Sequence, residues 1–326
     1  QSLAQSKIEA EVKQYGAYVE VSDLLDLTSF DPVLTESTEL LGEQLGTVVE
    51  WVTRDAMCAG TNVQYANGKT NRLSLAAGDK LTVTEIRKAV RSLKKAKARM
   101  FNATGDGQSR KPHFVCICSP DATYDLQSDA LWQDVSKYSD VEQIYSGEIG
   151  RLFGVVFVES TEAKAFSQSV LTAVASHTAG SAVVTLNDLS ESAALYLIAG
   201  AKIKIGTTEY TVSACDPAAK TVTLSQNVAS AIAAGTLVYS EDAGALDATT
   251  KKGTEIHATL VFGADAYGII DVDGEGCLQT IVKPCGSGGA ADPLDQRATV
   301  GAKVAAYTAK ILNNLWIVRI EHGVSL

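Results

Sequence analysis

Residues Gly60–Leu75 read GTNVQYANGKTNRLSL. Two short runs flank Ala66-Asn67-Gly68, which has the composition of a tight hairpin turn. Parity selects the register. Side chains alternate along a strand, so Val63 and Tyr65 share one face, as do Leu73 and Leu75. A two-residue loop at Asn67-Gly68 would set these pairs on opposite faces. A three-residue loop, Ala66-Asn67-Gly68, sets all four on one face and puts Gly68 where a left-handed residue is wanted. The segment therefore predicts a hairpin with one apolar stripe and no local partner. An isolated two-stranded hairpin is marginal in water, so the fold turns on what that stripe packs against.

Outward from the hairpin, the 326 residues suffice for one large or two ordinary domains. The chain is 46% hydrophobic but only 6% aromatic, with a net charge of −10. That charge opposes general coating of nucleic acid and leaves room for a local basic patch. No apolar run is long enough to span a bilayer. The polar opening, QSLAQSKIEAEVKQ, does not read as a signal peptide. A start at Gln1 rather than Met is consistent with a trimmed product. The six cysteines (Cys58, Cys116, Cys118, Cys215, Cys277 and Cys285) form no Cys-x-x-Cys pair. Cys116 and Cys118 share a strand face and read as small buried hydrophobes, which fits a reducing compartment.

Residues 1–32 mix charge with a strand-like YGAYVEVS and read as an arm lying on something else. From Val33 to Cys58, Leu41, Leu45, Val48, Val49, Val52 and Ala56 follow helical spacing. Gly42 and Gly46 share a face of that helix. Each weakens it by roughly 1 kcal/mol relative to Ala, which close contact with another backbone would offset. After the hairpin, Thr82 and Glu85 make a T-x-x-E capping box. Ile86, Val90, Leu93 and Ala96 form the apolar stripe of the helix that follows. The rest of it is basic: Arg87, Lys88, Arg91, Lys94, Lys95, Lys97 and Arg99. That face reads either as a solvated surface or as one that meets DNA phosphate or an acidic neighbouring segment.

HFVCICS predicts a buried strand, and Ser119-Pro120 an N-cap with Pro at the first helical position. One or two short helices run on to Tyr138, and Val155 to Glu159 reads as a strand. Gly147 to Gly150 lacks the context of a phosphate loop and reads as a turn. From about Ser167 to Ala248 charge falls and short strands recur, with DPAAK at Asp216 to Lys220 as a hairpin turn. This stretch predicts a small all-β barrel or sandwich inserted into one domain. Val300 to Ile311 suits helix or strand, and Leu315 to Glu321 reads as a strand. No metalloprotease, P-loop, nucleophile-elbow or dinucleotide motif is present. His113, His177, His257 and His322 read as structural or surface residues. Nothing points to catalysis, a metal or a cofactor.

The ordered stretches CAGTNVQYANGKTNRLS, IRKAVRSLKK, SPDATYDLQSDALW, YSGEIGRLFGVVFVESTEA, ATLVFGADAYGIIDV, GGAADPLDQRATVGAK and KILNNLWIVRIE resemble the N-four-like family of tailed-phage major capsid proteins. The resemblance covers most of 11–166 and 254–322 and omits the middle module. It implies an α+β, Hong-Kong-97-type coat fold. Its parts map to an N-terminal arm at 1–32 and a body at 33–166 and 249–326. Within the body lie an extended loop at 59–81 and a spine helix at 82–100. An axial domain includes 112–165 and part of 254–280, and a peripheral sheet takes in the end of the chain. The inserted β domain is 167–248. Under that mapping 299–311 is strand, paired with Leu315 to Glu321 across Asn313-Asn314.

The resemblance further implies a non-enzymatic, self-assembling shell subunit in pentamers and hexamers. Portal and scaffold or decoration proteins would be partners, packaged double-stranded DNA would be contacted weakly, and no membrane is involved. The product would be a virion, assembled in the host cytoplasm. An encapsulin-like compartment is the alternative. The intersubunit contact would fall on Val63, Tyr65, Lys69, Leu73 and Leu75, with Arg87, Lys88, Arg91, Lys94 and Lys95 facing inward or onto a neighbour. Some members of the fold crosslink a loop Lys to an Asn, which would make Lys69 and Asn313 or Asn314 candidates. The plainer reading of Lys69 is a solvated or salt-bridging residue.

Overall fold

The computed structural model describes residues 7–101, 112–136, 150–166, 171–189, 197–206, 208–240, 244–246, 253–271, 278–287, 293–294 and 296–325. In chain order they begin β1 (Lys13–Ser22), α1 (Asp23–Thr28), α2 (Val33–Cys58), β2 (Val63–Tyr65), α3 (Val83–Lys95), β3 (Phe114–Cys118), α4 (Pro120–Gln127) and α5 (Ala130–Ser136). Then follow β4 (Gly150–Leu152), β5 (Val155–Glu159), β6 (Ala165–Phe166), β7 (Thr172–His177), β8 (Val183–Leu186), β9 (Lys202–Ile205), β10 (Thr208–Asp216), β11 (Thr221–Leu224) and β12 (Leu237–Ser240). The last are β13 (Ala245–Leu246), β14 (Gly253–Thr254), β15 (Ile256–Phe262), β16 (Tyr267–Asp271), β17 (Leu278–Lys283), β18 (Arg297–Ile311) and β19 (Ile317–Gly323). The chain divides into two compact units. The first holds 1–62, 93–114 and 262–318; the second holds 63–92, 115–261 and 319–326.

The first unit is a sheet with a helix on one face. The 15-residue β18 pairs antiparallel with β1 on one side and with β16 and β17 on the other. Alternation along β18 turns Val300, Ala302 and Val304 to one face. There they pack with Leu41 and Leu45 of α2 and with Tyr15 and Ala17 of β1. Thr53 and Tyr307 seal this layer with a hydroxyl–hydroxyl hydrogen bond of 2.6 Å. At 26 residues, α2 is about 39 Å long, and it starts at Val33 and ends at Cys58 as its spacing predicts.

The second unit carries a seven-stranded sheet in the order β2-β19-β15-β3-β5-β4, with β6 beside β15. It also carries a closed barrel in the order β10-β11-β8-β7-β12-β9. β3, β5 and the start of α4 fall where the sequence puts them, and Ser119 Oγ accepts the Ala122 N–H as the N-cap. At the Asp216 turn, the carboxylate accepts the Ala218 and Ala219 amides. The barrel core is aliphatic, built from such residues as Val174, Val184, Ile203, Val212 and Val238.

Five expectations are corrected. Gly60–Leu75 is not a hairpin. Val63–Tyr65 pairs in parallel with Arg319–Glu321, and the chain then makes two 3-10 turns, Ala66–Gly68 and Arg72–Ser74. Asn67 and Gly68 both take left-handed φ, 54° and 70°, so the backbone curls instead of returning along itself. The 59–81 stretch is consequently not an extended loop. The supposed arm supplies β1, whose partner is the chain's own β18, because Tyr15, Ala17 and Val21 complete the α2-facing layer.

The third correction concerns the spine helix expected over 82–100, which is shorter than that span. α3 has 13 residues and is followed by a left-handed Lys97 at φ 54°. Fourth, β18 is a strand but pairs with β1, β16 and β17, while β19 pairs with β2 and β15. Accordingly 319–325 group with the second unit and 262–318 with the first. Finally, a Cβ at Gly42 or Gly46 would meet nothing within 4 Å, so no backbone among the described residues approaches them.

Candidate intersubunit and polyanion-facing surfaces

The predicted contact residues part company in the structure. Leu75 is only 3% exposed and thus belongs to the chain's own core. Val63 and Tyr65 are half-buried in β2 against β19. Burial, followed by the nearby Glu321 carboxylate, pushes the Tyr65 phenol above its ordinary pKa. Lys69 is exposed at the tip, its Nζ 3.9 Å from Asp79 Oδ2. The Leu73 side chain lies outside the described residues. Of the predicted contact residues, the structure leaves Lys69 on the surface and gives Val63, Tyr65 and Leu75 partners within the chain.

What holds this segment is a buried ion pair that sequence spacing did not reveal. Arg72 donates from Nε to Glu321 Oε2 at 2.8 Å and from Nη2 to Oε1 at 2.7 Å. The Glu321 side chain is fully buried, and Arg319 Nε sits 2.9 Å from the same carboxylate. Arg72 also lies over Phe166, with Cζ 3.4 Å from the ring centroid. A planar guanidinium suits both contacts at once. Removing Glu321 would take this buried carboxylate from both Arg72 and Arg319, at a cost of about 3–5 kcal/mol. Close by, Gly323 passes the loop so tightly that a Cβ would lie 2.3 Å from the Ala76 carbonyl oxygen.

The basic helix is a surface feature. Arg87, Lys88, Arg91, Lys94 and Lys95 are all exposed, while Ile86, Ala89, Val90 and Leu93 are buried. The capping box is not the device that starts α3. Glu85 instead accepts from Gln64 Nε2 at 2.7 Å and pairs with Lys88 at 2.7 Å, and Asp129 Oδ2 accepts the Val83 amide at 3.1 Å. Arg87 lies 5.2 Å from the Phe153 ring centroid. The remaining cations make a dense positive face, suited to phosphate or acidic protein by charge and specific for neither.

One buried polar cluster brings serine, histidine and carboxylate together. Ser119 Oγ lies 2.7 Å from His257 Nδ1, and His257 Nε2 is 3.4 Å from Glu255 and 4.0 Å from Asp121. Ser119 is already the α4 N-cap, and both residues are buried, so the pair fixes the start of α4 to β15. His322, fully buried, accepts or donates at Thr259 Oγ1 over 2.8 Å, and burial lowers its pKa to about 4. Among the described residues no helix is long and apolar enough to cross a membrane, and no group of three His, Cys, Asp or Glu side chains is placed to hold a metal.

Residues 53–213, just under half the chain, match the family described as phage capsid protein. No curated protein matches the sequence. Among solved structures, the capsid of Ralstonia phage GP4 aligns with a TM-score of 0.56 at 12% identity, covering 97% of this chain and 74% of that one. The head structure of Helicobacter pylori bacteriophage KHP40 aligns at 0.53 and 10% identity, covering 96% and 74%. The capsid asymmetric unit of cyanophage Pam1 aligns at 0.53 and 11%, covering 96% and 75%. At these identities the likeness is one of fold: the chain has the fold of phage capsid proteins.

Proposed function

We infer that this chain is the major capsid protein of a tailed bacteriophage, the self-assembling subunit of an icosahedral head around double-stranded DNA. The observation that carries the reading is a capsid fold matched over nearly the whole chain, with the phage capsid family match running through its middle. Closed shells arise when one subunit type repeats its contacts around symmetry axes. The subunit is non-enzymatic and belongs to the N-four-like branch, with pentamers and hexamers as capsomers. It would assemble in the host cytoplasm, and portal and scaffold or decoration proteins would complete the head. The β module at 167–248 is an insertion in this fold and would carry contacts of its own.

The test is assembly. Sedimentation and electron microscopy of the purified chain should find shells or capsomers, and a monomer at every concentration would overturn the reading. Nuclease-resistant DNA inside native particles separates a phage head from an encapsulin-like compartment with enzyme cargo.

The exposed basic face of α3 supports a second element: contact with packaged DNA or with an acidic neighbour. Charge reversal at Arg87, Lys88 and Arg91 should leave the subunit folded and weaken its binding to DNA, with a shallower salt dependence. Unchanged DNA binding at low salt would return α3 to the status of a solvated face. Lys69 is the contact-loop residue that remains available to a neighbour. A single monomer band from particles on a denaturing gel would exclude a covalent role for it.

A further inference from the structure

The 66–79 segment has a chemical property that shell assembly does not require. Asn67-Gly68 is the one Asn-Gly pair in the chain, and both residues are exposed. Asn67 Nδ2 donates to Asp79 Oδ1 at 2.7 Å. The other Asp79 oxygen accepts the Ala76 amide at 2.9 Å, with Lys69 Nζ 3.9 Å away. The Asp79 side chain is itself buried, at 7% exposure. A Cβ at Gly68 would meet nothing within 4 Å, so solvent reaches this peptide freely.

We propose that Asn67-Gly68 is a gated deamidation site, shut while Asn67 is docked on Asp79, reactive when the segment lifts, and unable to dock again afterwards. In the reaction, the Gly68 amide nitrogen gives its proton to a solvent base and attacks Asn67 Cγ. A C–N bond forms, the Cγ–Nδ2 bond breaks, and the nitrogen leaves as ammonia after taking up a proton. Water then opens the cyclic imide at either carbonyl, leaving aspartate or isoaspartate at position 67. Water is the only co-reactant, and no oxidant or reductant enters.

The gate is conformational. Ring closure needs the Gly68 nitrogen beside Asn67 Cβ, nearly eclipsed with it. With Asn67 at φ 54° and ψ 28°, that nitrogen lies across the Cα–C bond from Cβ. Rotating it into place breaks the hydrogen bond to a charged acceptor, a loss that slows the reaction by about ten- to a hundredfold. The product is self-locking, because a new carboxylate at 67 would face the buried Asp79 carboxylate with Lys69 as the nearest cation. Like charges at that distance repel, and burial sharpens the repulsion.

The test follows Asn67 by peptide mass spectrometry in 18O-labelled water at mildly alkaline pH, for the purified chain with and without urea. The native chain should react at least about tenfold more slowly than the unfolded one. Asp79→Ala should raise the native rate toward the unfolded rate, and Asp79→Asn, which keeps an acceptor, should fall between. Asn67→Asp should make 66–79 cleave faster under limited proteolysis. Equal rates for native and unfolded wild type would overturn the gate even if Asp79→Ala failed to fold. An unchanged rate in a folded Asp79→Ala chain would overturn the role of Asp79.

Discussion

The barrel and the β18 sheet are built from similar residues, and they end in opposite states. In the barrel, β9 meets β10 and the ring closes, so its strands have no edges and its aliphatic side chains fill their own interior. Closure is the surest way to remove an unpaired edge. The β18 sheet is open. α2 covers one face, while on the other Tyr18, Gly301 and Ile281 share one register row, with Tyr18 72% exposed. Among the described residues, β1 and β17 pair on one side each. The contrast teaches that strand-rich sequence alone does not tell a finished module from a surface awaiting a partner; closure does.

The contrast can be broken from the barrel side first. Val238 is fully buried in the barrel, so Val238→Asp should cost about 4–5 kcal/mol or more. Urea unfolding and proteolysis should localise the damage to 172–240, and an intact barrel would refute its self-sufficiency. Acid probes the seven-stranded sheet next. His322 has a pKa near 4 in the fold against 6.5 unfolded, because it is fully buried beside His257, with Asp125 and Glu321 opposing. The unfolded chain thus takes up the proton first. The stability owed to neutral His322 is complete above about pH 6.5 and falls by about 3 kcal/mol as pH drops to 4. His322→Gln should flatten that slope in a series of urea melts.

Smaller effects sharpen the open side. A Cβ at Gly46 meets nothing, so Gly46→Ala should stabilise the isolated subunit by about 1 kcal/mol. If shells then fail to form, the glycine serves a neighbour; if they form normally, it serves nothing in assembly. Tyr18→Ser should change subunit stability by no more than about 0.5 kcal/mol. Loss of particles at unchanged thermal stability would mark the open face as a contact.

Local signals were the readable part of this fold. α2 was legible end to end because its apolar residues keep a 3.6 period, and Ser119-Pro120 announced α4 because capping chemistry is confined to a few adjacent residues. β3, β5 and the Asp216 turn were legible for the same reason. Pairing was not. β2 has three residues, too few for a period, and its partner is β19 at the far end of the chain. The parity argument took the nearest apolar run as partner and so built a hairpin. The candidate surfaces divide likewise. Exposure of the α3 cations followed from their spacing opposite Ile86, Val90 and Leu93. The Arg72–Glu321 pair spans 249 residues and left no mark in either local sequence.

That span has a consequence for synthesis. A ribosome making about 5–20 residues per second completes β19 some ten to fifty seconds after Arg72 emerges. Throughout that interval Val63–Tyr65 lacks β19 and Arg72 lacks Glu321. The sheet of the second unit is therefore finished only once β19 has been made. Nascent chains crowded on one message thus present this sheet with its β2 edge unjoined until β19 has emerged.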